Sequence, residues 1–572
     1  MIDLVIRGGR VVDGTGRPAR TADIAVEDGR IAAVGRIDAS GAEEIDADGL
    51  LVTPGFVDPH THYDGQATWD PLLTPSFFHG VTTVVMGNCG VGFAPVRPDR
   101  KEFLIALMEG VEDIPGTALH EGIQWAWESF PEYLDALDGM PRAIDIGTHL
   151  PHGSLRAYVM DERGADNEPA TDQDIDRMAE LAFEAVRAGA LGFSTNRLAM
   201  HTSKDGRPVP GTYADERELF AIGRAVARAG GGVVEIVSAE GMGTSPGGYH
   251  ADVDWGGRLA REAGIPVTLC LTQIDNHPDL WRDVLGWIHS EQDRGAELVP
   301  QVAGRPLGIL IGLGTKHPFQ GRAAYEEVVG LPVPQRAAAL RDPARRQRLL
   351  DQPCAAAGVG PLVLRMPAKV FPLGSRPDYE PAPDTSVAAQ AAASGRTIEE
   401  TLLDLMLEQD GRALLLFTLG GYARFNLDHI GEMLSEPSSI MGLADGGAHC
   451  SLICDASAPT SVLSYWARDR TRGPRLPVEL AVAKMTSGPA HLYRLSDRGT
   501  VAPGKRADLN LIDFDHLTLR PPEVVDDLPT HASRLIQRAD GYVATLVAGQ
   551  VISRQGVETG ARPGRLVRRQ PV

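Results

Sequence analysis

Eight short apolar runs, each ending in a polar or glycine-rich cluster, constrain this chain more than any other feature of its sequence. They fall at 55–58, 82–86, 143–146, 190–194, 233–237, 267–271, 298–302 and 439–444, with helix-length stretches such as 174–188 and 216–229 between them. Strands alternating with helices build a parallel sheet, since each crossover carries the chain back to the same end. Eight such units close into a barrel that gathers its reactive side chains at the C-terminal ends of its strands. The expected fold is thus α/β, a (β/α)8 TIM-like barrel. The interval from 302 to 439 is too long for one unit. It reads as a helical insertion around 305–435, with helices at 337–350 and 397–408 and, at 413–418, either an alternative seventh strand or an extra one.

The two ends have another texture. Before residue 55 the chain runs in short alternating segments punctuated by turns, and Asp28-Gly29 between two of them is a strong hairpin signal. Similar segments return at 507–513 and 542–550. Neither end holds enough strands for an independent sheet. Together they are expected to form one small β-sandwich domain, 1–54 with 491–572, into which a barrel of 55–490 is inserted.

A formal charge of −21 argues against nucleic acid, whose phosphates demand a basic footprint, and against anionic membrane surfaces. The first residues carry no basic segment followed by a long apolar run, and no stretch approaches the ~20 apolar residues needed to cross a bilayer. Five irregularly spaced cysteines (Cys89, Cys270, Cys354, Cys450, Cys454) make no disulfide framework and fit a reducing compartment. The expectation is a cytoplasmic protein acting on a small-molecule substrate, with neither nucleic acid nor membrane as partner; a homo-oligomer stays open.

His60-Thr61-His62 follows the apolar run 51–57. Residues i and i+2 of a strand share a face, so both imidazoles point the same way and make half a site for a divalent metal. Taken alone, such a pair is more often structural. Its place at the end of the first strand of a βα repeat is what favours a ligand role. Asp445 ends the last run, far away in sequence but adjacent once a barrel closes. A carboxylate there can complete a metal site, take a proton from metal-bound water, or simply cap a helix. Cys89, within Gly87-Asn88-Cys89-Gly90 just past the second run, is either a thiolate ligand or an inert buried thiol. His149 and His152 after the third run, and His449 behind Asp445, are each open to a catalytic or a structural role.

Gly55-Phe56-Val57-Asp58-Pro59-His60-Thr61-His62, together with a β-domain shared by both ends, resembles the amidohydrolase superfamily. Gly80-Val81-Thr82-Thr83-Val84-Val85-Met86-Gly87-Asn88-Cys89-Gly90 is more specific and resembles its D-aminoacylase branch, the N-acyl-D-amino-acid deacylases. His152-Gly153-Ser154-Leu155-Arg156, Gly189-Ala190-Leu191-Gly192-Phe193-Ser194, Ala444-Asp445-Gly446-Gly447 and Ala502-Pro503-Gly504-Lys505-Arg506-Ala507-Asp508-Leu509 agree with it. The resemblance covers nearly the whole chain and is weakest across 305–435. It implies that His60, His62 and Asp445 bind one metal, with Asp445 also handling the proton. It also implies that Cys89 belongs to a second zinc, held in the family by two further histidines after the fifth and sixth strands. Ile236 and Leu271 stand at those two positions here, so one ion is expected in place of two. The family's lysine near the sixth strand falls at Gln273, and Arg424 and Arg468 are the candidates for its carboxylate-binding arginine.

The expected function is hydrolysis of an amide-type C–N bond in an N-acyl amino acid or a related amide or lactam. One Zn²⁺-like ion on His60, His62 and Asp445, with help from Cys89, would activate the water. Asp445 would act as general base and then acid, and His449 or His152 would stabilise the oxyanion. Alternatives are deamination, or urea or carbamate hydrolysis, at the same site, because one fold hosts many reactions. A further alternative, of another class, is a non-catalytic binding or assembly protein on an amidohydrolase scaffold.

Overall fold

The computed structural model describes residues 2–569. The apolar runs form one eight-stranded parallel sheet whose strands neighbour one another in chain order. We number them β1 (Phe56–Asp58), β2 (Val81–Met86), β3 (Asp145–Pro151), β4 (Gly192–Asn196), β5 (Val233–Val237), β6 (Val267–Leu271), β7 (Leu298–Val302) and β8 (Ile440–Met441). Every residue of β2, β3, β4 and β5 is buried, as a parallel strand covered on both faces must be. β3 starts at Asp145, later than the run 143–146 suggests, because the Ala143 amide donates to Pro71 O (2.7 Å) outside the barrel ladder. It then continues to Pro151, so His149 lies inside the strand and not after it.

β8 keeps only two ladder residues, and it meets β1 beyond the strand ends. Thr61 bridges Gly446 there, His62 N donates to Gly446 O (2.8 Å), and Asp445 N donates to His60 O (3.2 Å). The barrel is thus nearly closed, and the residues that close it are the two histidines and the aspartate singled out above. Glycine is required at this seam: a Cβ on Gly446 would lie 2.5 Å from Ser76 Oγ, and one on Gly447, at φ 93°, would lie 2.9 Å from His62 O.

Helices cover the outside of the sheet. Asp172–Ala188 begins at a capping box in which Thr171 and Asp174 satisfy each other's backbone amides, and it turns Ile175, Met178, Ala182 and Ala185 inward. Glu216–Arg228 is capped by Asp215 and buries Leu219, Phe220, Ile222 and Val226. Each buried leucine, isoleucine, valine, methionine or phenylalanine among them stabilises the layer by ~1.5–3 kcal/mol relative to an exposed one.

The insertion between β7 and β8 is not helical throughout. Helices Val333–Leu340, Pro343–Asp351 and Ile398–Gly411 surround a three-stranded antiparallel sheet of Leu307–Ile311, Leu415–Gly420 and Val370–Pro372. The run 413–418 is therefore an extra strand, outside the barrel. This sheet touches the end of the barrel chain again through Leu310 N, which donates to Leu452 O (2.7 Å).

A second large sheet has nine strands and draws them from both ends of the chain. Leu51–Pro54 joins the halves: it pairs in parallel with Leu4–Val11 and antiparallel with Leu509–Ile512. One face carries Ile6, Ile24, Val52, Leu509 and Leu546 into a core of its own. Asp28-Gly29 does turn a hairpin between Arg20–Glu27 and Arg30–Gly35, with both turn residues at positive φ (50° and 70°), as a type I′ turn requires. Among the described residues no helix is long and apolar enough to cross a membrane.

Candidate functional site

The backbone beyond β1 stays extended because Thr61 donates twice to Val85 O on β2, from its amide (3.0 Å) and its hydroxyl (2.8 Å). Thr61 therefore faces the sheet, and His60 and His62 turn together into the barrel mouth, their ring centroids 5.4 Å apart. Asp58 Oδ1 accepts from His60 N and fixes the approach (3.2 Å). Cys89 arrives from the loop after β2, at φ 56°, with its amide donating to Glu235 Oε2 (3.1 Å). Asp445 arrives from beyond β8 at φ 47°. Left-handed backbone at a cysteine and an aspartate is strain of the kind that collects at functional sites.

Three of these donors, His60, His62 and Cys89, form a group able to hold a metal ion, and Asp445 stands beside the two histidines. His60 Nε2 lies 3.3 Å from Cys89 Sγ and 3.5 Å from Asp445 Oδ1, and His62 Nε2 lies 3.9 Å from each. A tetrahedral ion with bonds of about 2.0–2.3 Å holds its ligands about 3.3–3.8 Å apart. The chemistry of His60, His62 and Cys89 and their grouping fit a zinc-class divalent cation. The surrounding charge points the same way. Glu112, Glu235 and Asp445 pair only with histidines among the described residues, and no lysine or arginine meets them.

The electrostatics follow from burying such a set without a countercharge. Burial, with Asp455 and Asp58 adding repulsion, pushes the Asp445 carboxyl up to about 8. Burial raises Glu235 to about 8 as well, and drives Glu112 and the Cys89 thiol far above their ordinary ranges. It holds His60 down to about 3 and His62 well below its usual value, so both imidazoles are neutral. A divalent ion inverts this logic by favouring every anionic form at once.

Beyond these four, the predicted residues divide. His449, at φ 53° and a fifth exposed, stands at the mouth with Nε2 3.6 Å from Glu112 Oε2. Lys316, paired with Asp113 at 2.7 Å, adds to the charges that act on it. His152 is a correction. It is fully buried, its Nδ1 is 2.9 Å from Thr195 Oγ1 and its Nε2 2.7 Å from Glu218 Oε1, so neither nitrogen is free to meet an oxyanion. His149 is likewise structural, held by Tyr493 Oη (2.9 Å). Gln273 uses both ends of its amide on Ala423 N and Pro278 O; Arg424 pairs with Asp279 and Arg468 with Asp469. None of these three is left to receive a carboxylate.

The structure also brings residues that the sequence reading missed. Glu112, at the end of helix Lys101–Glu112, is buried between His62 (Oε1 to Nδ1, 3.5 Å) and His449 (Oε2 to Nε2, 3.6 Å), near both rings without a hydrogen bond to either. No motif marks it. His201 lies behind β4, bonded to Asn196 (2.7 Å) and close enough to lower His60 and His62. On β5 and β6 the side chains that enter the mouth are Glu235 and Cys270, whereas Ile236 and Leu271 turn into the apolar layer outside. The expectation that Ile236 and Leu271 face the site is thereby corrected. The signal was available: Glu235 is the one charged residue in an otherwise apolar strand, and alternation puts its neighbour on the opposite face.

Comparison with known proteins agrees with this architecture. The amidohydrolase family model matches residues 43–553. A D-aminoacylase of Alcaligenes xylosoxydans xylosoxydans is 33% identical over 53% of this chain and 58% of its own length, so that match spans little more than half of the relative. An uncharacterised protein of Mycobacterium tuberculosis is 30% identical over 97% of this chain and 92% of its own length. The N-acyl-D-glutamate deacylase of Bordetella bronchiseptica, solved with zinc and a phosphonate mimic of the tetrahedral intermediate, superposes with a TM-score of 0.65 at 24% identity, covering 99% of this chain and 100% of that one, and shares the fold. The barrel and the near-complete family match together make the chain a member of the amidohydrolase family, hydrolases of carbon–nitrogen bonds other than peptide bonds.

Proposed function

We propose that this chain is a metal-dependent amidohydrolase that cleaves the amide bond of an N-acyl amino acid, or of a related amide or lactam, with an activated water. The observation that carries this reading is the grouping of His60 Nε2, His62 Nε2 and Cys89 Sγ at separations a divalent cation can span, with Asp445 Oδ1 3.5 Å from His60 Nε2. A single Zn²⁺-like ion bound there supplies a water acidic enough to attack near neutral pH and a Lewis acid for the carbonyl.

The protein's own residues do the rest. Asp445 is 19% exposed while both histidines are 1% exposed, so among these three it is the one that reaching substrate meets. Its carboxylate takes the proton of the attacking water and returns it to the leaving nitrogen. Glu112 lies beside the His62 and His449 rings, and His449 offers its edge to the developing oxyanion. The names of the relatives, D-aminoacylase and N-acyl-D-glutamate deacylase, support an acylated amino acid as substrate. With Gln273, Arg424 and Arg468 engaged elsewhere, a free substrate carboxylate has no arginine from those positions.

The test is the H60A/H62A variant, expected to lose both bound metal and turnover; full activity in a metal-free double variant sinks the reading. Assay of acyl-amino acids, lactams, ureas and aminated bases, following carboxylate against ammonia release, separates amide hydrolysis from deamination and urea cleavage.

A further inference from the structure

One histidine at the barrel mouth has no part in the chemistry proposed above, and its neighbours fix where its proton sits. His201 lies in the loop 197–214, beyond the C-terminal end of β4. That end abuts the loop carrying Cys89: a Cβ on Gly90 would lie 3.1 Å from Asn196 N. The backbone of His201 is held on both sides, its amide donating to Leu198 O and its carbonyl accepting from Val209 N (3.1 Å each). The ring is half-buried and close enough to His60, His62 and His449 to interact with each electrostatically.

Asn196, itself buried, sets the tautomer of that ring. Its Oδ1 accepts from the Leu198 amide (2.7 Å), and because a backbone N–H can only donate, the side-chain amide cannot be turned the other way. The atom 2.7 Å from His201 Nδ1 is therefore Asn196 Nδ2, which has protons to give and no lone pair to offer. His201 Nδ1 must accept. In a neutral imidazole the proton then sits on Nε2. Burial, with His449 adding repulsion, holds the ring down to about 4, so it stays neutral. Among the described residues nothing accepts from Nε2–H, and that nitrogen reaches solvent.

We infer that His201 is a fixed, neutral hydrogen-bond donor to the substrate, its Nε2–H meeting the scissile carbonyl oxygen as negative charge develops there. This rests on the amide-hydrolase reading proposed above and adds to it a second donor alongside His449. Neutrality suits the place, since an imidazolium would repel a divalent cation on His60 and His62. An N–H held by a bonded loop needs no rearrangement at the moment of reaction, which is what makes such a donor effective.

Two amide replacements separate the roles of the ring nitrogens. In H201N the side-chain oxygen can still accept from Asn196, but nothing stands where Nε2 was; in H201Q an amide nitrogen reaches that place. With zinc-loaded protein and N-acyl amino acids as probes, kcat is expected to fall ~10²–10³-fold in H201N. KM and metal per chain should hold, and H201Q should recover most of the loss, as for an interaction made in the transition state. Nitrogen-15 NMR of histidine-labelled protein gives a readout apart from turnover: the wild-type ring that is missing from both variants should carry its proton on Nε2 and none on Nδ1. Wild-type kcat in H201N, equal losses in the two variants, or a proton on Nδ1 overturns the donor and leaves the hydrolase reading standing. A zinc-loaded wild-type chain that cleaves no acyl amino acid or related amide overturns both.

Discussion

Two buried histidine–carboxylate clusters lie within this barrel, and arginine separates them. At His152 both ring nitrogens are bonded, and Glu218 also takes Arg156 through both oxygens (2.7 and 2.6 Å). Burial alone would raise the Glu218 carboxyl, yet His152 and Arg156 hold it below the ordinary carboxylate range. At His60 and His62 the carboxylates of Glu112, Glu235 and Asp445 gather with no arginine or lysine, and burial pushes all three upward. The first cluster is complete as protein. The second becomes complete only when a cation joins it. A buried histidine beside a carboxylate is therefore not a functional mark in itself; what marks function is the countercharge that the chain withholds.

That contrast can be broken experimentally. The largest effect is expected from D445N, which removes the proposed proton carrier and should lower kcat by ~10²–10⁴-fold in steady-state assays. A variant that keeps wild-type kcat removes Asp445 from the chemistry. E218A strikes the complete cluster, leaving the Arg156 charge buried and unpaired, at a cost of ~3–5 kcal/mol in denaturant unfolding. Metal per folded chain should stay unchanged, and a loss of metal from a folded E218A would merge the two clusters into one. Third in size, E112Q removes the carboxylate beside the rings of His62 and His449 without removing a ligand. Metal affinity, read by competition with a chromophoric chelator, should weaken by ~10–100-fold, and wild-type affinity would make Glu112 a bystander.

Much of this was legible before any coordinates. The eight runs and the βα rhythm specify the barrel, since burial on both faces leaves parallel strands with few alternatives. His60, His62 and Asp445 were legible because their positions relative to strand ends are local facts. Glu112 was not, for its role depends on where one helix ends relative to another loop, and nothing local in Glu109-Gly110-Val111-Glu112 encodes that. His152 misled for the opposite reason: it carries family-like surroundings, but Glu218, 66 positions on, takes its ring. The most instructive miss is a single step of register. In Val233-Val234-Glu235-Ile236-Val237 a shift of one residue exchanges the face that enters the site for the face that packs outside, and similarity of motifs cannot resolve one residue.

That step of register has its own test. Were residue 236 to face the mouth, Ile236→His would restore a ligand and tighten metal binding. In the structure the Ile236 side chain packs outward against Gly256 on helix Gly248–Ala263, its Cδ1 3.2 Å from where a Cβ on that glycine would sit. An imidazole there meets aliphatic neighbours and no cation. The expected outcome is unchanged metal content and unchanged turnover, with stability lower by ~1–3 kcal/mol from a buried polar ring without partners. A gain in metal affinity would instead place Ile236 inside and Glu235 outside. That would exchange the faces of β5 and leave Cys270 without its carboxylate neighbour.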